Sequence, residues 1–230
     1  MQGVVFDLDG TLIDSMEIWQ EVDEEFFKRR NMAVPAGYQE RIAHLGFREC
    51  AAYTKRAYLP EESEEAIIAE WRTLSLRKYA AEDAVKYFKP YALALVRNLH
   101  AQGIRMSIAT ASSPEFFLPI LRSGGIIELF DGYTTVDEVG KNKSYPDIYW
   151  KSAEKMNVAP ERCVVFEDNL LAVRAARQAG MQTAAVYDEQ TKSTHEALLR
   201  EADAFIETFE EILRVNSAEG EETCTNPNSV

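Results

Sequence analysis

Two aspartates one residue apart close an apolar run near the start of the chain, in Val4-Val5-Phe6-Asp7-Leu8-Asp9-Gly10-Thr11-Leu12. A second run, Cys163-Val164-Val165-Phe166, ends in the acidic pair Glu167-Asp168. Carboxylates at the tip of a buried strand are costly unless a cation or hydrogen bonds compensate them, which points to a metal or acid–base site. Taken alone, however, Asp-x-Asp-Gly also fits a strand-to-loop junction whose aspartates merely cap and turn the chain. Two other polar groups stand out: Thr110-Ala111-Ser112 after Ser107-Ile108-Ala109, and the lysines of Gly140-Lys141-Asn142-Lys143 ahead of Tyr145-Pro146-Asp147. Ser113-Pro114-Glu115 reads as a helix start with Ser113 as its cap, which leaves Thr110 without a capping role.

Short β-branched runs alternate with longer helical patterns, which predicts an α/β fold: a parallel sheet covered by helices on both faces. Strands are expected at residues 3–6, 105–109, 133–136, 163–166, 182–186 and 204–206, and helices near 91–101, 114–123, 147–156, 170–179 and 193–200. Between residues 15 and 83 there is only helical periodicity, punctuated by Gly, Pro and Asn. Ile18, Trp19, Val22, Phe26 and Phe27 form one apolar stripe, and Glu21, Glu24 and Glu25 occupy other faces, as in a small helical bundle. The expected organisation is a core of residues 1–14 and 84–215, an all-helical cap domain of residues 15–83, and a polar, disordered tail at 216–230.

With 230 residues, 46% of them hydrophobic, the chain can bury a proper core. Its net charge of −13 and pI near 4.8 set up a field that repels nucleic acids and anionic membranes, so neither is an expected partner. An anionic substrate would need a local positive charge, either a bound cation or a buried lysine. No apolar run is long enough to cross a bilayer, and Met1 to Phe6 carries no secretory pattern. Cys50, Cys163 and Cys224 lack metal-ligand spacing and read as reduced thiols, so a cytoplasmic location is expected.

Asp-x-Asp-Gly-Thr at the end of the first apolar strand resembles the first motif of the haloacid dehalogenase superfamily, and three further stretches follow in that family's order. Ser107-Ile108-Ala109-Thr110-Ala111-Ser112 resembles the second motif, with Thr110 as its phosphoryl-binding hydroxyl. Lys143-Ser144-Tyr145-Pro146-Asp147-Ile148 is similar to the third, Lys-Pro-x-Pro-Asp-Ile, with Ser144 in place of the first Pro. Its Pro-Asp register selects Lys143 over Lys141. Glu167-Asp168-Asn169 resembles the fourth, in which Asn169 replaces Ser and Ala172 stands at a Gly position. The helical insertion directly after the first motif resembles the cap of the branch that contains phosphoglycolate-type phosphatases and β-phosphoglucomutase.

The resemblance implies a Rossmann-like core and Mg²⁺-dependent hydrolysis of small phosphate monoesters, such as sugar phosphates, through an aspartyl-phosphate. Asp7 is then the nucleophile and Asp9 the acid and base, while Thr110 and Lys143 hold phosphoryl oxygens, with amides around Ala111 and Ser112 as further donors. The implied Mg²⁺ ligands are the Asp7 side chain, the Asp9 backbone carbonyl, Asp168 and Glu167. Arg48, in His44-Leu45-Gly46-Phe47-Arg48-Glu49, falls where related proteins carry a substrate-contacting loop, although a solvated Arg48 and a core Phe47 fit equally well. Two other functions are weighed: a sugar-phosphate mutase, disfavoured because Trp19 lies where β-phosphoglucomutase carries a His, and a non-catalytic phosphate-binding protein. Asp9 argues against carbon–halogen cleavage. Oligomeric state has no sequence signal.

Overall fold

A computed structural model describes residues 1–43, 45–79 and 84–214; the expected tail lies outside these residues. Six strands form one parallel sheet: β1 (Gly3–Phe6), β2 (Arg105–Thr110), β3 (Gly132–Thr135), β4 (Cys163–Glu167), β5 (Gln182–Val186) and β6 (Ala204–Ile206), in the order β3-β2-β1-β4-β5-β6. This is the Rossmann-like core expected. The order reverses on either side of β1 and β4, and open sheets of this kind hold ligands beyond the carboxyl ends of the strands at that point. Phe6 is level with Ile108 on β2 and with Phe166 on β4, so the next residues, Asp7 and Glu167, emerge side by side.

Alternation along the strands separates two faces. Val4, Phe6, Ile108 and Phe166 pack on one side, where the Phe6 and Phe166 rings stack with centroids 5.1 Å apart. Val5, Ala109 and Val165 pack on the other, against Tyr149 and the small residues Ala172, Ala175 and Ala176.

Four helices lie among the described residues of 15–83: α1 (Met16–Lys28), α2 (Tyr38–Ile42), α3 (Phe47–Tyr58) and α4 (Glu64–Tyr79). The stripe on α1 is inside, with Ile18, Val22, Phe26 and Phe27 buried. Arg30 joins this bundle together: it lies 3.8 Å over the Phe26 ring and pairs with Glu62 and Glu70 at 2.6 and 2.7 Å. The remaining helices are α5 (Ala92–Ala101), α6 (Pro114–Ser123), α7 (Val136–Val139), α8 (Asp147–Met156), α9 (Leu170–Gln178) and α10 (His195–Glu201).

The chain enters and leaves the insertion through two adjacent segments. Ile13 bridges antiparallel to Phe88, the Asp14 amide donates to the Tyr87 carbonyl at 2.6 Å, and the Lys89 amide donates to the Leu12 carbonyl at 2.9 Å. Asp14 and Ser15, at the start of the insertion, adjoin this crossing, and Asp83, at its end, lies outside the described residues. The insertion also rests on the core through the Arg72–Glu115 pair at 2.5 Å and the Phe47–Phe116 rings at 5.5 Å.

Some expected boundaries shift for local reasons. Val136 begins α7 instead of ending β3, because the Thr135 hydroxyl accepts from the Glu138 amide at 3.2 Å and caps the helix there. Tyr91 stands outside α5 with a left-handed φ of 65°, and residues 189–194 form a 3-10 turn before α10. Ser113 occupies the cap position of α6, but its side chain accepts no capping bond, which corrects the expected role.

Gly46, at the start of α3, comes close to the core: a Cβ built there would lie 2.4 Å from Val136 Cγ2. Overpacking of this kind costs roughly 1–3 kcal/mol. Gly46→Ala is therefore expected to lower Tm by several degrees in thermal denaturation; an unaltered Tm would mean that the insertion does not bear on the core at this point.

Candidate active site

Asp7 follows β1 and is 4% exposed, with its amide donating to the Phe166 carbonyl at 2.9 Å. The Lys143 ammonium, on the loop before α8, reaches its Oδ1 at 2.6 Å and also contacts Glu167 Oε1. Glu167 is fully buried at the end of β4. The Tyr149 hydroxyl donates to its Oε1 at 3.2 Å, and the amides of Asp168 and Asn169 donate to its Oε2 at 3.1 and 3.2 Å. Lys141, the competing lysine, is exposed and pairs with Asp147 at 2.8 Å. The structure thus brings Lys143, not Lys141, to the strand tips.

Burial, and then the charge of Glu167, push the Asp7 carboxyl up to about 7, against the pull of Lys143. Burial, Asp7 and Glu167 hold Asp168 well above the usual carboxylate range. Burial alone would lower Lys143, but Asp7 and Glu167 beside it push it up, so it stays charged. One oxygen from each of Asp7, Glu167 and Asp168 lies within 4.8 Å of the others. A buried, all-oxygen group of three carboxylates fits a hard divalent cation, which would displace the protons that the raised Asp7 and Asp168 carboxyls otherwise retain. Gly10 makes room for the cluster. Its φ is +86°, and a Cβ there would lie 2.6 Å from Asp168 Oδ2.

The Asp9 side chain is not part of that group. Its Oδ1 accepts from the Ser15 hydroxyl and, at 3.3 Å, from the Trp19 indole, and its Oδ2 accepts from the Ser112 hydroxyl at 2.6 Å. Half-buried and held from three directions, this carboxylate faces the same cavity as Asp7. Ser15 and Trp19 were missed as partners of the site, since sequence showed them only as the start of the insertion and a stripe residue.

That cavity, of about 170 Å³, lies between sheet and insertion. Asp7, Asp9, Ala111, Ser112, Lys143 and Glu167 line its sheet side. Thr110 is not among its lining residues: the hydroxyl is fully buried at the end of β2 and accepts from the Ser112 amide at 2.9 Å. Arg48 is exposed and does not line the cavity, in keeping with the solvated one of the two readings its sequence allowed. Phe47 turns inward against Trp71 and Phe116, with centroids 5.6 and 5.5 Å apart, and the helical turn then carries Arg48 outward. His44 lies outside the described residues. Asp23 and Trp71 line the insertion side, roles sequence did not assign because nothing in a helical pattern tells a core position from a cavity wall.

A family model for haloacid dehalogenase-like hydrolases matches residues 1–180. The chain belongs to this family. It is 27% identical over 223 residues to hexitol phosphatase A of Escherichia coli, covering 96% of this chain and 97% of that protein. It is 28% identical over 196 residues to a phosphorylated carbohydrates phosphatase of Thermotoga maritima, covering 79% and 83%. Among solved structures, a mutant of CbbY from Rhodobacter sphaeroides in complex with xylulose-(1,5)bisphosphate superposes with a TM-score of 0.79 at 25% identity, covering 91% and 95% of the two chains.

Asp23, on α1, is buried, and burial pushes its carboxyl up to about 7 from 3.8, with hydrogen bonding to Gln39 opposing. Tyr38 and Cys50, near it, are pushed further up and stay neutral in this range. A raised carboxyl destabilises the fold when ionised: the penalty is absent below about pH 4, grows with pH, and is complete above about pH 7. Asp23→Asn is expected to stabilise the protein more at pH 8 than at pH 5, by about 3 kcal/mol for two pH units of the shift. Calorimetric Tm values at the two pH values check this, and an equal effect at both would contradict it.

Proposed function

We propose that this hydrolase cleaves small phosphate monoesters, sugar phosphates among them, in an Mg²⁺-dependent reaction through an aspartyl-phosphate on Asp7. The observation that carries this reading is the buried Asp7 carboxylate, held by Lys143 and grouped with Glu167 and Asp168 at the mouth of a cavity that Asp9 also lines. The relatives named as phosphatases of hexitols and phosphorylated carbohydrates support it.

Asp7 attacks phosphorus while the bond from phosphorus to the ester oxygen breaks, and Asp9 gives its proton to the departing alcohol. Asp9 then takes a proton from water, whose oxygen attacks phosphorus and releases phosphate from Asp7. Ser15, Ser112 and Trp19 hold Asp9 in place for the first of these steps. Asp7, Glu167, Asp168 and the Asp9 backbone carbonyl would hold Mg²⁺, which when bound neutralises charge between carboxylate and phosphate. Lys143 neutralises the same charge from the protein side, and Thr110 orders the Ser112 amide.

Residues 15–83 act as a cap, excluding water during the first displacement and pivoting at the paired segments to admit it for the second. Trp19 disfavours the mutase, because an indole N–H only donates and cannot relay a proton to and from a sugar hydroxyl. The buried thiols of Cys50 and Cys163 agree with a reducing, cytoplasmic setting, and among the described residues no helix is long and apolar enough to cross a membrane.

Phosphate release from a panel of small esters tests the reading. It should depend on Mg²⁺, stop on chelation, and fall at least about a thousandfold in Asp7→Asn and about a hundredfold or more in Asp9→Asn. Turnover that persists in Asp7→Asn, or in chelator, would overturn it.

A further inference from the structure

The insertion side of the cavity is apolar at Val22, Ile42, Leu45 and Phe47. Into this wall the chain sets the Asp23 carboxyl, the Gln39 carboxamide and the Trp71 indole. Asp23 is 6% exposed and Trp71 3%. The Trp71 N–H has no hydrogen-bond partner among the described residues. A buried donor without an acceptor is unfavourable, as is a carboxyl buried in a largely apolar wall with the Gln39 carboxamide as its hydrogen-bond partner.

A ligand hydroxyl matches the chemistry of both groups: its oxygen can accept from an indole N–H and its hydrogen can go to a carboxylate. An ammonium would satisfy Asp23 but would set a second donor against the indole. A phosphate would accept from the indole but meet Asp23 with like charge. Among the described residues that line the cavity, Lys143 supplies the only Lys or Arg, and it already serves Asp7 and Glu167. Among the described residues that line the insertion side, none is a Lys or Arg that would neutralise a second phosphate.

Resting on the phosphatase reading above, we propose that Asp23, Gln39 and Trp71 form a subsite that holds a hydroxyl of the substrate's alcohol part and shuts out a second phosphate. Asp23 is thereby the specificity-determining residue. A buried carboxyl that weakens the fold when it ionises is also the kind of group that function, not stability, retains.

A matched six-carbon series tests the subsite: glucitol 6-phosphate, its hydroxyl-free counterpart hexyl phosphate, and glucitol 1,6-bisphosphate, with kcat and KM measured in Mg²⁺. The wild-type protein is expected to favour the first over each of the others by at least tenfold in kcat/KM. Asp23→Asn should narrow the gap to the bisphosphate by tenfold or more, and Trp71→Phe should raise KM for glucitol 6-phosphate more than for hexyl phosphate. A wild-type protein that takes hexyl phosphate or the bisphosphate as readily overturns the subsite with no variant needed, as do variants that keep the wild-type ratios. Activity without discrimination sinks the subsite and leaves the phosphatase reading standing. No phosphate release from any of the three, nor from p-nitrophenyl phosphate, sinks both.

Discussion

The buried ammonium of Lys143, set between Asp7 and Glu167, is the interaction on which the site depends. Three carboxylates share the strand tips with it, so full ionisation would leave two negative charges uncompensated in a place shielded from water. Removing the ammonium would worsen the imbalance, since a buried charge stripped of its partner is among the more damaging changes a fold can suffer. The raised Asp7 and Asp168 carboxyls express the same deficit as retained protons. A divalent cation is the other way to meet it, and on the proposed chemistry it would keep Asp7 ionised for attack on phosphorus. Charge balance therefore links the stability of the cluster to its chemistry.

This balance requires the strands to be in register. β1 and β4 are neighbours because the sheet reverses direction between them, and Phe6 opposite Phe166 sets Asp7 beside Glu167. A slip of one residue would turn one of the two carboxylates to the opposite face of the sheet. The stacked phenylalanines on one face, and Val5 and Val165 with the small residues of α9 on the other, hold that register through packing. Ala172, where the family pattern has Gly, is fully buried in this second cluster, so its methyl group is accommodated. Tyr149 extends the same surface to the Glu167 carboxylate.

Legibility in the sequence followed how local the signal was. Asp7, Glu167 and Asp168 could be read because apolar runs end in acids, and that contrast survives without any knowledge of neighbours. The helical insertion was readable from the stripe on α1. Thr110 was legible as a strand-end hydroxyl, but its partner depends on the turn that follows, where the Ser112 amide donates to it. Arg48 was left between two readings because the rotation of α3 is set by aromatic contacts to α4 and α6, which are distant in sequence. Asp23 and Trp71 left no local mark at all: a cavity between two packed layers exists only once both layers are in place.

Hydrolysis in two displacements, as proposed, would ask contradictory things of this cavity, dryness first and water second. The contacts that close it are of two kinds. At the crossing, backbone hydrogen bonds join Leu12 and Asp14 to Lys89 and Tyr87, and these can persist while the chain pivots. Farther out, Phe47 meets Phe116 and Arg72 meets Glu115, contacts between side chains that separate without breaking any element of secondary structure. Trp19 spans both regions. Its ring packs edge-on against Phe116 at 5.7 Å while its N–H holds Asp9, so parting the insertion from α6 would also release one of the three bonds that orient the acid. On the proposed chemistry, opening would then admit water and free Asp9 to turn toward it in the same motion.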